Sequence, residues 1–221
     1  MALSLPRSPV SQPSHEALVC VVDDDDSLRQ SLIRLFRSVC LPAEAFASAQ
    51  AFLDRERHDG PLCLVLDVQM PGLDGLQLQQ ILTYRKVPIV FLTGNGDVPM
   101  CVTAMKAGAV DFLTKPVDDT VLIAAVTNAL LRSEQERACA AQREAAVARF
   151  DALTPREFEV MQYVIAGMLN KQIAGELEAA EKTVKIHRGR VMQKLGVNSV
   201  AELVRLAQVA GVRPVTGRGG A

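Results

Sequence analysis

The sequence contains no tryptophan, few aromatic residues and no long uninterrupted apolar stretch. A membrane-spanning helix needs about twenty consecutive apolar residues, so we expect no membrane span. Residues 1–16 are rich in proline and serine and lack the apolar core of a signal peptide. We therefore expect a disordered tail at residues 1–16 and a cytoplasmic protein.

Closely spaced cysteine pairs, which would indicate a metal or redox site, are also missing. Five cysteines are scattered along the chain without a CxxC motif, and several lie within apolar runs. We expect reduced, small core residues at these positions. They are Cys20, Cys40, Cys63, Cys101 and Cys139.

A large net charge is absent as well, but the charge is unevenly distributed over the 221 residues. From Leu153 onward there are ten Lys or Arg against six Asp or Glu, whereas the preceding part has 14 against 19. The length allows two domains. The asymmetry indicates that the C-terminal part binds a polyanion and that the N-terminal part has another role.

Two apolar runs each end in carboxylates. Leu62–Leu66 leads into Asp67, and Ala17–Val22 leads into four consecutive aspartates beginning at Asp23. Continuous apolar runs of this length are typical of buried parallel strands, whose C-terminal ends hold ligands in open α/β sheets. The alternative is that these acids cap the following helices or form a solvated charge cluster.

Three further strands are predicted between helical segments. They are Ala43–Phe46, Val87–Leu92 and Val110–Thr114, and the last two are followed by Thr93 and by Lys115–Pro116. Four intervening helices are predicted: one that begins at Ser27, and three over Ser48–Arg57, Gly75–Tyr84 and Asp97–Ala107. In the third helix Ile81 is expected to face the sheet. In the fourth helix the residues expected to face the sheet are Val98, Cys101, Val102 and Met105. Five βα repeats predict a doubly wound parallel sheet, an α/β fold.

The strand ends would then bring together three carboxylates, a hydroxyl and an ammonium group. Asp23, Asp24 and Asp67 would repel one another unless a cation intervened, and their oxygens suit Mg²⁺. A carboxylate acts as a nucleophile toward phosphorus, while Thr93, Lys115 and the cation stabilise charge on the phosphoryl oxygens. In isolation, an ordinary strand-end hydroxyl is the favoured interpretation of Thr93, and a surface ion-pair partner is that of Lys115.

Residues 17–132 resemble the receiver domain of bacterial two-component response regulators, which has a flavodoxin-like fold. The motifs are VVDDDD, LDVQMPGLDG, LTGNGDVPM, AMKAGAVDF and TKP. The resemblance implies that Asp67 is the phosphoacceptor and that Asp23 and Asp24 hold one Mg²⁺ together with Asp67 and the backbone carbonyl of Gln69. It also implies that Thr93 and Lys115 contact the phosphoryl group.

The same resemblance assigns three further features. Phe112 is the switch aromatic coupled to Thr93, Lys115–Pro116 is a cis peptide, and Gln69 and Asn95 tune the phosphoryl lifetime. From the sequence alone, plain core packing is the favoured interpretation of Phe112.

A helical pattern without glycine or proline extends from Val121 to Phe150. We interpret residues 133–152 as a helical linker. A coiled-coil contact between two copies stays open, because the apolar heptads are not sustained.

The C-terminal domain, residues 153–211, begins with a capping box formed by Thr154 and Glu157, with Pro155 at the first helical position. A short helix from Asn170, a brief turn and a longer helix over Lys182–Leu195 follow. This order is the helix-turn-helix signature. We expect residues 212–221 to form a second disordered tail.

The longer helix has one apolar and one basic face. Val184, His187, Val191 and Leu195 share the inner face, where His187 is expected to pack rather than read bases. The outer face suits the DNA major groove, with Arg190 and Lys194 extending positive charge toward the flanking phosphates. The predicted DNA contacts are Lys182, Thr183, Lys185, Ile186, Arg188, Gly189 and Arg190.

The segment from LTPREFEVMQ to AELVRLA resembles the LuxR/NarL-type DNA-binding domain, in particular that of the FixJ subfamily. The combined resemblance implies a transcription factor and not an enzyme in the usual sense. A histidine kinase would phosphorylate it, and it would bind promoter DNA as a homodimer. RNA polymerase is a candidate partner. Two alternatives stay open: a phosphohydrolase with an aspartyl-phosphate, and a receiver whose C-terminal helices bind protein instead of DNA.

Overall fold

The computed structural model describes residues 17–94 and 96–215, which form two compact units divided between Arg137 and Ala138. Asn95 and the predicted tail at 1–16 lie outside the described residues, as does most of the predicted tail at 212–221. No helix in the described part has the length and apolar character needed to cross a membrane.

The first unit contains a five-stranded parallel sheet of order β2-β1-β3-β4-β5. The strands are β1 (Leu18–Val22), β2 (Ala43–Phe46), β3 (Leu62–Leu66), β4 (Ile89–Thr93) and β5 (Asp111–Thr114). This order is that of flavodoxin-like folds, so the predicted α/β class is confirmed.

Five helices flank the sheet: α1 (Asp26–Ser38), α2 (Ala49–Leu53), α3 (Gly75–Leu82), α4 (Val98–Lys106) and α5 (Asp119–Phe150). Leu32 of α1 and Val126 of α5 pack against Val21 and Val65 on one face. The opposite face is covered by α2, α3 and α4. Because β1 and β3 are covered on both sides, nearly all of their side chains are buried, which explains their uninterrupted apolar sequences.

The predicted inner face of α4 is wrong, and that of α3 is wrong at one position, Ile81. In α4 only Ala104 is buried, while Val98, Val102 and Met105 are 77%, 44% and 42% exposed. In α3, Ile81 is exposed and Gln79 is buried, because the Gln79 side-chain amide donates to the Ala104 carbonyl at 2.9 Å. Helix α2 is also shorter than predicted and ends at Leu53.

The predicted linker, residues 133–152, is helical through Phe150 but is not simply solvated. In the first unit, the buried Ser133 hydroxyl accepts a hydrogen bond from the Leu62 amide at 3.1 Å. In the second unit, Ala146 and Phe150 belong to the hydrophobic core. The two ends of this segment therefore pack in different units.

The second unit contains α6 (Pro155–Ile165), α7 (Asn170–Glu176), α8 (Glu181–Leu195) and α9 (Val200–Ala210) together with the end of α5. The predicted capping box at Thr154 and Glu157 is confirmed. Gly196, with φ of 60°, ends α8 in the left-handed conformation that glycine adopts without strain. Val212 packs against the core, one residue beyond the predicted domain boundary.

Candidate functional site

The acidic residues that follow β1 and β3 come together at one edge of the sheet. Val22 pairs with Leu66, and the Asp67 amide donates to the Val22 carbonyl at 2.9 Å. One carboxylate oxygen from each of Asp23, Asp24 and Asp67 lies within 4.8 Å of the other two. Asp23 and Asp67 are buried and Asp24 is exposed, so the cluster is open on one side.

Lys115 joins two of these carboxylates. Its Nζ donates to Asp23 Oδ2 at 2.6 Å and to Asp67 Oδ2 at 3.0 Å. Burial lowers the pKa of Lys115, but the hydrogen bonds that its ammonium group donates to Asp23 and Asp67, together with the negative charge of these acids, outweigh burial and raise the pKa above its ordinary value. Lys115 is therefore a charged, immobilised ammonium group between two buried acids.

The backbone after β5 brings Lys115 to this place. Its amide donates to the Thr93 carbonyl at 2.8 Å, and the Lys115–Pro116 peptide is cis, as the resemblance implied. Residues that are 92 positions apart in sequence, Asp23 and Lys115, thus form a direct ion pair.

Asp23 is held by several contacts and yet retains its proton more readily than an ordinary aspartate. Burial raises its pKa, and hydrogen bonds from Lys115 and from the Asp25 amide oppose this only in part. The Arg29 guanidinium binds the Asp23 carbonyl at 2.6 Å and the Asp26 carboxylate at 2.8 Å. Asp25 caps α1 by accepting from the amides of Ser27 and Leu28.

The three carboxylates suit a divalent cation. They provide three oxygen ligands, and with Lys115 as the counter-ion the group keeps an excess negative charge of two when ionised. Hard cations such as Mg²⁺ prefer such oxygen ligands. The Gln69 amide donates to Asp67 Oδ1 at 3.3 Å, and the role of the Gln69 carbonyl as a further ligand stays a prediction.

Thr93 and Phe112 lie close to one another beside this cluster. A Cβ at Gly96 would be 2.8 Å from Phe112 Cε1 and 3.3 Å from Thr93 Cγ2, so Gly96 occupies a narrow place between the two side chains. Thr93 is fully buried, and the Phe112 ring lies 5.9 Å from that of Phe91. Coupled movement of Thr93 and Phe112 remains a prediction.

Sequence analysis missed the importance of Gly75. A Cβ on Gly75 would lie 2.2 Å from the Asp67 carbonyl oxygen, closer than any real contact, and the Gly75 amide donates to the Val68 carbonyl at 2.9 Å. The close approach of α3 to the end of β3 therefore requires glycine. The only sequence signal was the position of Gly75 directly after the Asp74 cap.

In the second unit, α8 separates a buried from an exposed face as predicted. Val184, Val191 and Leu195 are buried, whereas six of the seven predicted DNA contacts are exposed. The seventh, Arg188, is half-buried, and its Nη1 donates to the Asn170 side chain at 3.1 Å. A Cβ at Gly189 would meet no atom within 4 Å, so the outer surface is open there.

Lys194 does not extend this basic face as predicted. Its Nζ donates to Glu157 Oε2 at 2.7 Å and to the Ala152 carbonyl at 3.1 Å. Lys194 and the Thr154 amide lower the pKa of Glu157 to about 2. The pair ties the start of α6 to the end of α8, so Lys194 holds the recognition-type helix in place.

His187 lies on the inner side of α8 and is half-buried, as expected for a packing residue. Its buried Nδ1 atom has no hydrogen-bond partner among the described residues.

Both units of the chain match known protein families. Residues 19–127 match the response regulator receiver domain, and residues 151–207 match the luxR family of bacterial regulatory proteins. Nodulation protein W of Bradyrhizobium diazoefficiens is 48% identical over 206 residues, which cover 91% of this chain and 90% of that protein. The chain is a response regulator.

Other relatives have the same two-part organisation. Transcriptional regulatory protein FixJ of Bradyrhizobium diazoefficiens is 43% identical, over 88% of this chain and 96% of that protein. The structure of response regulator StyR matches with a TM-score of 0.76 and 46% identity, covering 87% of this chain and 98% of StyR. This response regulator thus consists of a receiver and a LuxR-type DNA-binding domain, and its relatives include transcriptional regulators of two-component systems.

Proposed function

We propose that Asp67 of the receiver accepts a phosphoryl group from a histidine kinase and that this changes how α8 binds promoter DNA. The observation that carries the proposal is the position of Lys115 Nζ, 2.6 Å from Asp23 and 3.0 Å from Asp67. A carboxylate held beside a fixed ammonium group and two further acids is suited to attack phosphorus. The protein would act as a transcription factor in the cytoplasm.

Asp23, Asp24 and Asp67 would hold Mg²⁺, with the Gln69 carbonyl as a fourth ligand. The ion supplies positive charge that draws a phosphoryl group toward the site. Lys115 orients the reacting carboxylate and offsets charge on the phosphoryl oxygens. Asp23 has the stronger hydrogen bond to Lys115, so the Asp67 carboxylate is the freer of the two to react.

Phosphorylation adds about −1.5 to −2 charges next to Thr93 and Lys115. A hydrogen bond from the Thr93 hydroxyl to the new oxygens would move Thr93, and Phe112 would follow, since Gly96 leaves no free space between them. The adjoining surface of α4 carries exposed apolar residues, Val98, Val102 and Met105. Altering this surface would favour pairing of two receivers or release of the DNA-binding units.

The exposed face of α8 would enter the major groove. Lys182, Lys185 and Arg190 provide cations for the DNA, while Thr183 and Ile186 offer contacts to base edges. The space around Gly189 allows the helix to approach closely, and the bond to Asn170 holds Arg188 in one orientation. Two copies would bind half-sites about one helical turn apart. A bound dimer could also contact RNA polymerase.

Transfer from acetyl phosphate tests the receiver chemistry. The variant Asp67→Asn should lose phosphoryl uptake because the amide is not a nucleophile toward phosphorus. Asp54→Asn, which removes an exposed acid of the same unit, is the matched control and should keep uptake. Continued labelling of Asp67→Asn would assign the nucleophile to another residue.

Gel-shift titration with promoter DNA from the native host tests the second unit. Lys185→Ala combined with Arg188→Ala should abolish salt-dependent binding, because two cations leave the outer face of α8. Arg34→Ala combined with Arg37→Ala removes the same charge from α1 and should leave binding unchanged. Equal affinity of both double variants would favour the alternative in which the C-terminal helices bind protein.

A further inference from the structure

We propose that the receiver has a second binding site, for a small organic anion that carries a flat ring. The site is a cavity of about 410 Å³ between the segment after α2, the turn after α3 and residue 137 of α5. Its volume is within the range of small-molecule sites. Neither the phosphoryl chemistry nor the DNA contacts use it.

The cavity has an excess of positive charge. Four arginines line it, whereas its acids are Glu56 and Asp59. Two of the arginines are already engaged. Arg55 lies 5.6 Å from the centre of the Phe52 ring and 3.6 Å from Glu44, and Arg137 donates to the Asp59 carbonyl.

The other two arginines, Arg57 and Arg85, are exposed, and neither has an ion pair or hydrogen bond within residues 17–94 and 96–215. Arg57 and Arg85 both line this cavity, and their like charges favour an anion there. Their planar donor sets match the two oxygens of a carboxylate or phosphate. Arg57 and Arg85 are therefore the expected ligands of the anionic group.

The remainder of the cavity is suited to a ring. Phe52 and Leu82 lie beneath the cavity and are almost fully buried, and Leu62 is a half-buried apolar residue of its lining. Tyr84 also lines the cavity and is 95% exposed, so its ring is available for stacking.

The new site is separate from the acidic cluster. Leu62 begins β3 and lines the cavity, whereas Asp67 follows the other end of this strand. Five residues of strand span about 16 Å, so both sites can be filled at once. A bound anion would connect α5 with the turns at Arg57 and Arg85, and would give the receiver an input other than phosphorylation.

Calorimetric titration of the full-length chain with three probes tests this site. Phenyl phosphate supplies a ring with a phosphate, benzoate supplies the same ring with a carboxylate, and inorganic phosphate lacks a ring. We expect saturable binding of at least one ringed probe, tighter than that of inorganic phosphate. Comparison of the two ringed probes then identifies the preferred anionic group.

Two variants locate the binding. Arg57→Gln combined with Arg85→Gln should weaken the ringed probe at least about tenfold, whereas Arg34→Gln combined with Arg37→Gln should not. Tyr84→Ala should weaken the ringed probe and leave inorganic phosphate unaffected. All five side chains are exposed, so we expect unchanged unfolding temperatures.

The proposal is overturned if no probe saturates, or if both double variants lose affinity equally, which would indicate general attraction between charges. Amide NMR signals give a second measurement. Those of Asp59 and Tyr84 should shift on binding, and shifts confined to the surroundings of Asp67 would assign the anion to the acidic cluster instead.

Discussion

Each unit contains a buried carboxylate bonded to a lysine, and the two pairs behave in opposite ways. Asp23 accepts from Lys115 at 2.6 Å in the receiver, and Glu157 accepts from Lys194 at 2.7 Å in the DNA-binding unit. The carboxylate side chains are 3% and 4% exposed. Nevertheless, the pKa of Asp23 is raised and that of Glu157 is lowered to about 2.

The neighbours of each pair explain the difference. Burial dominates the pKa of Asp23, and Asp67 adds a repulsive charge while sharing Lys115. Glu157 accepts from Lys194 and from the Thr154 amide, and these hydrogen bonds outweigh the effect of burial. The charge of Glu157 is balanced by its hydrogen bonds, whereas Asp23 can still bind a further cation.

This contrast distinguishes a structural ion pair from a site prepared for a ligand. Glu157 and Lys194 hold two helices of the DNA-binding unit together and need nothing more. Asp23 and Lys115 belong to a cluster whose negative charge is incompletely balanced, which is the usual condition of functional sites.

Replacing Lys115 or Lys194 should give the largest expected difference between the ligand site and the structural ion pair. Lys115→Met should slow phosphoryl uptake from acetyl phosphate by about 100-fold, because a fixed cation beside the reacting group is lost. Lys194→Met should leave uptake unchanged and lower the unfolding temperature of the DNA-binding unit. Measuring both properties on both variants completes the comparison. Equal uptake by the two variants would mean that Lys115 is merely structural.

A divalent cation should stabilise the receiver through the acidic cluster around Asp23, and this stabilisation should not depend on Glu157. Mg²⁺ at one hundred times its dissociation constant should raise the free energy of unfolding of the receiver by about 2.7 kcal/mol. Asp24→Asn should lose most of this gain, since it replaces one of the three charged carboxylates with a neutral amide. Glu157→Gln should retain the gain. Calorimetric unfolding with and without Mg²⁺ measures it, and a full gain in Asp24→Asn would contradict the proposed ligand set.

The sequence predicted the acidic cluster because its members follow apolar strands. Asp23, Asp67 and Lys115 each occupy the position after a strand, and parallel strands place such positions at one edge of the sheet. Adjacent pairing of β1 and β3 then brings the acids together. Local patterns and one topological rule were sufficient for this part of the fold.

Contacts between side chains of different elements were not predictable in this way. Lys194 was expected to extend positive charge toward the DNA phosphates, but it binds Glu157, which lies 37 positions earlier in sequence. Helix α4 was expected to bury Val98 and Val102, yet only Ala104 is fully buried. Helical periodicity identifies an apolar face but does not determine whether that face meets the core or remains exposed.

The smallest expected effect concerns the pH dependence of the Glu157 pair. The pKa of Glu157 is lowered from 4.5 to about 2 in the folded protein, so its carboxylate contributes stability that is fully present above pH 4.5. This contribution should be lost progressively as the pH falls from 4.5 toward about 2. The difference in unfolding free energy between the natural protein and Glu157→Gln should shrink over the same range.

Calorimetric unfolding of both proteins across this range measures that difference. Because the other titrating groups are common to both proteins, their contributions cancel, and the remaining pH dependence belongs to Glu157. A difference that grows on acidification would mean that burial dominates Glu157 as it dominates Asp23. The two pairs would then be alike, and the distinction between a satisfied ion pair and a site awaiting a cation would fail.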